Sequence, residues 1–376
     1  MSDVTAGALE SYLTGRLAAD VSVSDLHEHV EGWSRDTVSF TARWNEEGEE
    51  GEQRERRLVV RAESDAQIEG DSAAEGNDVE TEFRTMAAAE DTSVPVPETY
   101  WYEGDRSVLG GRFFVVGHLP GDAPVVWDRE QRQDLYRAWD EREANEGDGK
   151  ADGRAKGGSE NDGGSLPSQF VDAAVGVHTL DAEDVSALAD CPPDAVVERE
   201  LDRWVGRYRA STVRPEPAVE ECIRWFRSNP PEIPETTLVH GDFRIGNILV
   251  NEGELTGVLD WELARIGDPL YDLGYASTYY FAGKLIEPIE RPELACSLLD
   301  REWFYDEYER RSGRVVDRER VRYWRAFSAF VMMTIGLAGV HRFRTGETDD
   351  VRAAWLQYIV PGLIEDMLAI VREDRL

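Results

Sequence analysis

Asp242, Asn247 and Asp260 carry short oxygen-bearing side chains at places where the surrounding sequence is apolar. His240, Gly241 and Asp242 interrupt the run from Leu238 to Val250, Asn247 follows five residues later, and a strand-like segment, "LTGVLD", ends on Asp260. Polar groups in such positions are destabilising unless they are hydrogen-bonded or bind something. Magnesium prefers carboxylate and amide oxygens and bridges substrate phosphates, so an Asn and an Asp on neighbouring strand ends suit it. Asp242 is then left to face a hydroxyl. Phosphoryl transfer needs mainly positioning, charge neutralisation and one carboxylate to orient the acceptor, and the three residues match those tasks. The bland alternative is ordinary turn polarity.

The string His240-Gly241-Asp242, then Asn247, then Asp260-Trp261-Glu262 resembles the aminoglycoside phosphotransferase and choline kinase superfamily, small-molecule relatives of protein kinases. The run from Asp260 to Leu273 is most similar to the branch containing kinase domains fused to acyl-CoA dehydrogenases. The resemblance extends from about Glu31 to Gly346 and fails over an acidic insertion at residues 141–165. It implies that Asp242 is the catalytic base, that Asn247 and Asp260 hold magnesium, and that His240 and Asp272 support the catalytic loop. Asp268 is open between a turn residue and a functional one.

A kinase also needs a cation over the nucleotide phosphates, held by an acid from a helix. The candidates are Arg61, on one strand face with Val59, and Glu82. Many relatives use Lys where Arg61 stands; a guanidinium can pair bidentately but changes the geometry. The loop "EGWSRDT" offers Ser34 or backbone amides to a phosphate, though its one glycine, Gly32, makes a hairpin turn an equal reading. By the resemblance, the backbone of Gly117 and Leu119 binds the adenine edge. Tyr279, Tyr280 and Phe281 are candidates to line the acceptor site, against a reading as core. Arg342 and Arg344 are read as a solvated helix end, the alternative being contact with an anionic acceptor such as an acyl-CoA. His118 is read as a hinge side chain and His178 as a packed helix-end histidine.

The elements that must position these residues follow from periodicity. A helix is expected near 8–18, strands over 29–44 and 55–62 joined by an acidic turn, and a helix with Val79, Phe83, Met86 and Ala87 on its apolar side. Extended segments around 94–103 and 111–121 come next. Helices are then expected near 128–141, 167–180, 196–211, 216–228, 301–311, 317–340 and 348–372. The expected fold is α+β and protein-kinase-like in two lobes. Residues 1–116 form an antiparallel sheet plus helix, 117–121 a hinge, and 122–376 a larger, mainly helical lobe, with ATP and magnesium in the cleft.

Composition narrows the partners. A formal charge of −35 opposes association with nucleic acid or an anionic membrane. Only three of the forty-one basic residues are lysine, and abundant carboxylates with so little lysine suggest a salt-loaded cytoplasm. Cys191, Cys222 and Cys296 lack zinc or redox spacing and are expected to be reduced core thiols. The longest apolar run, Ala326 to Val340, falls short of the ~20 residues that span a bilayer. The chain is expected to be cytoplasmic, to act on a small-molecule hydroxyl, and to be either an active kinase or a nucleotide-binding pseudokinase. Oligomeric state is unknown from sequence.

Overall fold

A computed structural model describes residues 4–29, 35–45, 53–63, 78–147, 164–180, 185, 188–283 and 290–372. The chain forms two compact units, Met1–Pro120 with Asp260–Ala264, and Gly121–Leu259 with Arg265–Leu376.

The first unit is built on a five-stranded antiparallel sheet. Its strands are β1 (Val21–His29), β2 (Arg35–Asn45), β3 (Gln53–Glu63), β4 (Thr99–Glu103) and β5 (Phe113–Gly117), in the order β1-β2-β3-β5-β4. Side chains alternate across a strand. Leu58, Val60 and Ala62 of β3 accordingly join Phe40, Phe113 and Val115 in a core closed by Leu9, Tyr12 and Leu13 of helix α1 (Ala6–Leu17). Val59 and Arg61 take the opposite face, where Arg61 pairs in register with Phe114 and Phe114 meets Phe83 of α2 (Val79–Ala89).

Two expectations are corrected here. β1 was not foreseen, because as an edge strand with a mostly exposed face it lacks an apolar stripe. The buried side of α2 is Val79, Glu82, Thr85, Met86 and Ala89, rotated from the expected one because Glu82 points inward. Ser34 and Gly32, most of the acidic turn and residues 148–163 of the insertion lie outside the described residues.

The second unit is mainly helical: α3 (Arg129–Gly147), α4 (Leu166–Thr179), α5 (Val196–Ser211), α6 (Pro217–Ser228), α7 (Leu270–Ala276), α8 (Arg301–Ser312), α9 (Arg318–Thr345), α10 (Val351–Trp355) and α11 (Val360–Arg372). The helix expected over 348–372 is broken between α10 and α11 by a 3-10 turn at Leu356–Tyr358. Short strand pairs, β6 (Thr237–Val239) with β9 (Arg265–Gly267) and β7 (Ile248–Asn251) with β8 (Glu254–Val258), carry the loops of interest.

α9 continues well past the Ala326–Val340 run. It and the stretch Val351–Arg372 are long and apolar enough to cross a membrane by length and composition. The expectation from run length alone is thus corrected for the helix as a whole, although its residues outside that run include Arg318, Arg320, Arg322, Arg325, Arg342 and Arg344. Burial reads α9 as a core helix, since it carries buried Arg320, Arg322 and Arg325 and 56% of its apolar window is covered within the chain. Cys191, Cys222 and Cys296 are free and buried.

α7 lies directly on α9. A Cβ on Gly274 would stand 2.8 Å from both the Arg325 nitrogen and Trp324 Cβ, closer than such contacts allow. Gly274→Ala is expected to lower unfolding stability by about 1–3 kcal/mol despite the better helix propensity of Ala, as overpacking does. Denaturant titration checks this.

Candidate active site

In the first unit, a buried charge cluster forms around Glu82. Its side chain is 0% exposed, so its charge needs partners there. Arg61 Nη1 donates to Oε1 at 2.6 Å and Arg35 Nε donates to Oε2 at 3.3 Å. Arg61 Nη2 donates in turn to Asp260 Oδ1 at 3.0 Å. Burial opposes the charge on Arg61, but Glu82, Asp260 and Glu262 outweigh it and hold the guanidinium well above its ordinary range. Arg35 carried no sequence signal, being one arginine among many at the start of a strand. Asp260 has φ 69° and ψ 58°, in the left-handed region that a short polar side chain tolerates, and caps a 3-10 turn whose Trp261 is fully buried.

In the second unit, the loop after β6 is fixed through its backbone. His240 N donates to Asp272 Oδ2 at 2.7 Å and Gly241 N donates to Oδ1 at 2.9 Å. Gly241 has φ 82°, the conformation that glycine enters without strain. His178 Nε2 lies 3.0 Å from Asp272 Oδ2, and its Nδ1 lies 2.7 Å from the Tyr308 hydroxyl. A carboxylate only accepts, so Nε2 carries the proton and Nδ1 accepts from tyrosine. Burial alone would raise the Asp272 pKa, but the bond from His178, the nearby His240 and the Gly241 amide hold the carboxyl below its usual range.

His240 is fixed by the same logic. Nε2 donates to the Leu259 carbonyl at 2.9 Å and Nδ1 accepts the Asp242 amide at 3.2 Å. Asp242 Oδ1 accepts from Arg244 Nε at 3.1 Å, and Oδ2 accepts from Asn247 Nδ2 at 2.6 Å. A carboxylate oxygen has two lone pairs, so Asp242 keeps room for a further donor. The Asn247 amide nitrogen also donates to the Asp242 carbonyl at 2.9 Å. With its NH2 spent this way, the Asn247 carbonyl oxygen is the atom suited to a hard cation. No three His, Cys, Asp or Glu among the described residues form a ready-made metal cage. A magnesium ion, which keeps waters and substrate phosphates as ligands, needs none.

The other expected residues sort as follows. Gly117 donates its amide to Glu98 O at 2.8 Å, which leaves it only a carbonyl to offer, while Leu119 is half-buried. Asp268 is a buried anchor: Oδ2 accepts from Trp324 Nε1 at 2.6 Å and lies 3.4 Å from Arg320 Nε. Tyr280 packs against Trp127 with ring centroids 4.6 Å apart and planes tilted by 55°, Phe281 lies beneath the Arg244 guanidinium at 5.5 Å, and burial, then the Asp242 charge, push the phenol of Tyr275, not foreseen, well above its ordinary range. Arg342 and Arg344 sit in the last turn of α9, where cations complement the helix end. His178 is packed at a helix end as expected, but its link to Asp272 is invisible in sequence.

The profile of the phosphotransferase enzyme family matches residues 25–295. The chain belongs to that family. It is 30% identical over 212 residues to acyl-CoA dehydrogenase family member 11 of Gallus gallus, a match covering 54% of this chain and 23% of the relative. The chain therefore spans under a quarter of that relative's length. A Ralstonia eutropha protein described as an aminoglycoside phosphotransferase has a similar structure, with TM-score 0.68, 21% identity and 98% of each chain covered. A thermostable mutant of aminoglycoside phosphotransferase APH(4)-Ia, in ternary complex with AMP-PNP and hygromycin B, gives TM-score 0.52 at 21% identity over 96% of this chain and 98% of that one. The fold is the α+β, protein-kinase-like one of such enzymes.

Asp272→Asn replaces an acceptor with a group that must present NH2 to backbone donors. It is expected to lower stability by about 3 kcal/mol or more, as loss of one partner of a buried charged pair does. Because the folded pKa is depressed, this stabilisation is fully present above the unfolded value of about 3.9 and fades only as pH falls through the lower folded value. Wild type and variant should therefore differ by a constant amount near neutrality and converge in acid, measured by denaturant unfolding across pH.

Proposed function

We propose that the chain is an ATP- and magnesium-dependent kinase that moves the γ-phosphate to a hydroxyl of a small molecule, a hydroxyacyl-CoA being one candidate acceptor. The observation that carries this reading is Asp242. It is fixed by Asn247 and Arg244 on a loop whose amides are held by Asp272, and it retains the capacity to accept a hydroxyl proton. Likeness to a phosphotransferase crystallised with AMP-PNP and hygromycin B supports an ATP donor and a small hydroxyl acceptor.

In this reading Asp242 orients the acceptor hydroxyl and takes its proton late in transfer. Arg61, steadied by Glu82, neutralises phosphate charge. The Asn247 carbonyl oxygen and the Asp260 carboxylate are the ligands that fit magnesium. When bound, the ion would neutralise charge on the nucleotide phosphates. The backbone of Gly117 and Leu119 serves the adenine edge and Ser34 a phosphate. The pseudokinase reading draws on the arginine at position 61 and predicts magnesium-dependent ATP binding without turnover.

The test is phosphate transfer from ATP across a panel of hydroxylated metabolites, including hydroxyacyl-CoAs, in high salt suited to a charge of −35. Asp242→Asn should cost about 10²–10⁴-fold in kcat, the usual worth of a positioned base. No transfer to any acceptor, with this variant matching wild type, overturns the proposal. Arg61→Ala should raise KM for ATP by about tenfold or more, the loss of a hydrogen bond to a charged group.

A further inference from the structure

The residues after α7 gather polar groups that the catalytic loop does not use. The Tyr279 ring has the Arg301 guanidinium 5.3 Å from its centroid and that of Arg325 at 5.4 Å. Arg301 opens α8, with Tyr305 one turn on, and Ser277 directly follows α7. Ser277 is 1% and Tyr305 4% exposed; burial raises the Tyr305 phenol above its ordinary range, while Ser277, Arg325 and Arg301 act to lower it. Among the described residues, Ser277 Oγ, Tyr305 Oη and Arg301 Nη1 are buried without a full hydrogen-bond partner. The neighbouring acid, Glu302, has a side chain 70% exposed and bonds outward to Arg318. Buried donors are destabilising unless something accepts from them.

We propose that Arg301, Tyr305 and Ser277, with Arg325 behind Tyr279, form an oxyanion subsite that receives a carboxylate or phosphate group of the acceptor. The fork of a guanidinium matches either group, and two hydroxyls complete the donor set. The role as an acceptor subsite rests on the kinase reading, whereas the affinity for an oxyanion does not. Asp242 and the subsite both adjoin the end of α7: Asp242 bears electrostatically on Tyr275, and Ser277 follows two residues later as the cap of the helix.

The test titrates inorganic phosphate calorimetrically at constant ionic strength into wild type and variants. Saturable binding is expected, weakened about tenfold or more by Arg301→Gln and several-fold by Tyr305→Phe, with the latter keeping its unfolding midpoint. Arg61→Ala should bind as wild type does, which separates this site from the nucleotide phosphates. In the acceptor arm, Arg301→Gln should raise KM for hydroxylated carboxylates or phosphate esters while leaving neutral polyols unaffected. Absence of saturable binding, or affinity indifferent to both Arg301 and Tyr305, overturns the subsite. Arg301-dependent phosphate binding with every acceptor KM unchanged overturns its role in acceptor recognition. The same binding in an enzyme that transfers no phosphate would overturn the kinase reading and leave the oxyanion site standing.

Discussion

The carboxylate of Asp272 is the group on which the loop after β6 depends. It is fully buried, and it accepts from two successive loop amides and from His178. A carboxylate in that environment is tolerable only while its donors stay in place, and the amides have no comparable alternative. Loop and helix therefore fix each other. The chain of dependence runs further, because α7 keeps its place through Gly274 against α9 and through Asp268, which holds Trp324 and Arg320. The orientation of Asp242 thus follows from packing in a helix some eighty residues later in the chain.

The same physics governs the charge cluster of the first unit. Glu82 is buried on a helix face whose other residues are Val79, Thr85, Met86 and Ala89, and its charge there needs cationic partners. Arg35 and Arg61 each take one of its oxygens. The second arm of the Arg61 fork reaches Asp260, which a lysine ammonium, a single point charge, would not reproduce in the same planar geometry. Other arginines among the described residues make exposed ion pairs, such as Arg84 with Glu80, each worth little in stability. Their number reflects composition, whereas the few buried pairs decide geometry.

The sequence by itself carried the order of most elements, most helix boundaries to within a few residues, and the short polar residues that interrupt its apolar runs at Asp242, Asn247 and Asp260. It could do so because periodicity and short polar side chains in apolar runs are local signals. β1 escaped because an edge strand exposed on one face has no stripe, and the phase of α2 was misread because a buried glutamate breaks the pattern.

Only the tertiary structure decided which distant groups become partners. His178 and Tyr308, Arg35, Tyr275, and the cluster of Ser277, Tyr305 and Arg301 look ordinary in sequence. Their meaning comes from burial, which turns a hydrogen bond from optional to obligatory. That property belongs to the folded chain and cannot be read from any short stretch of it.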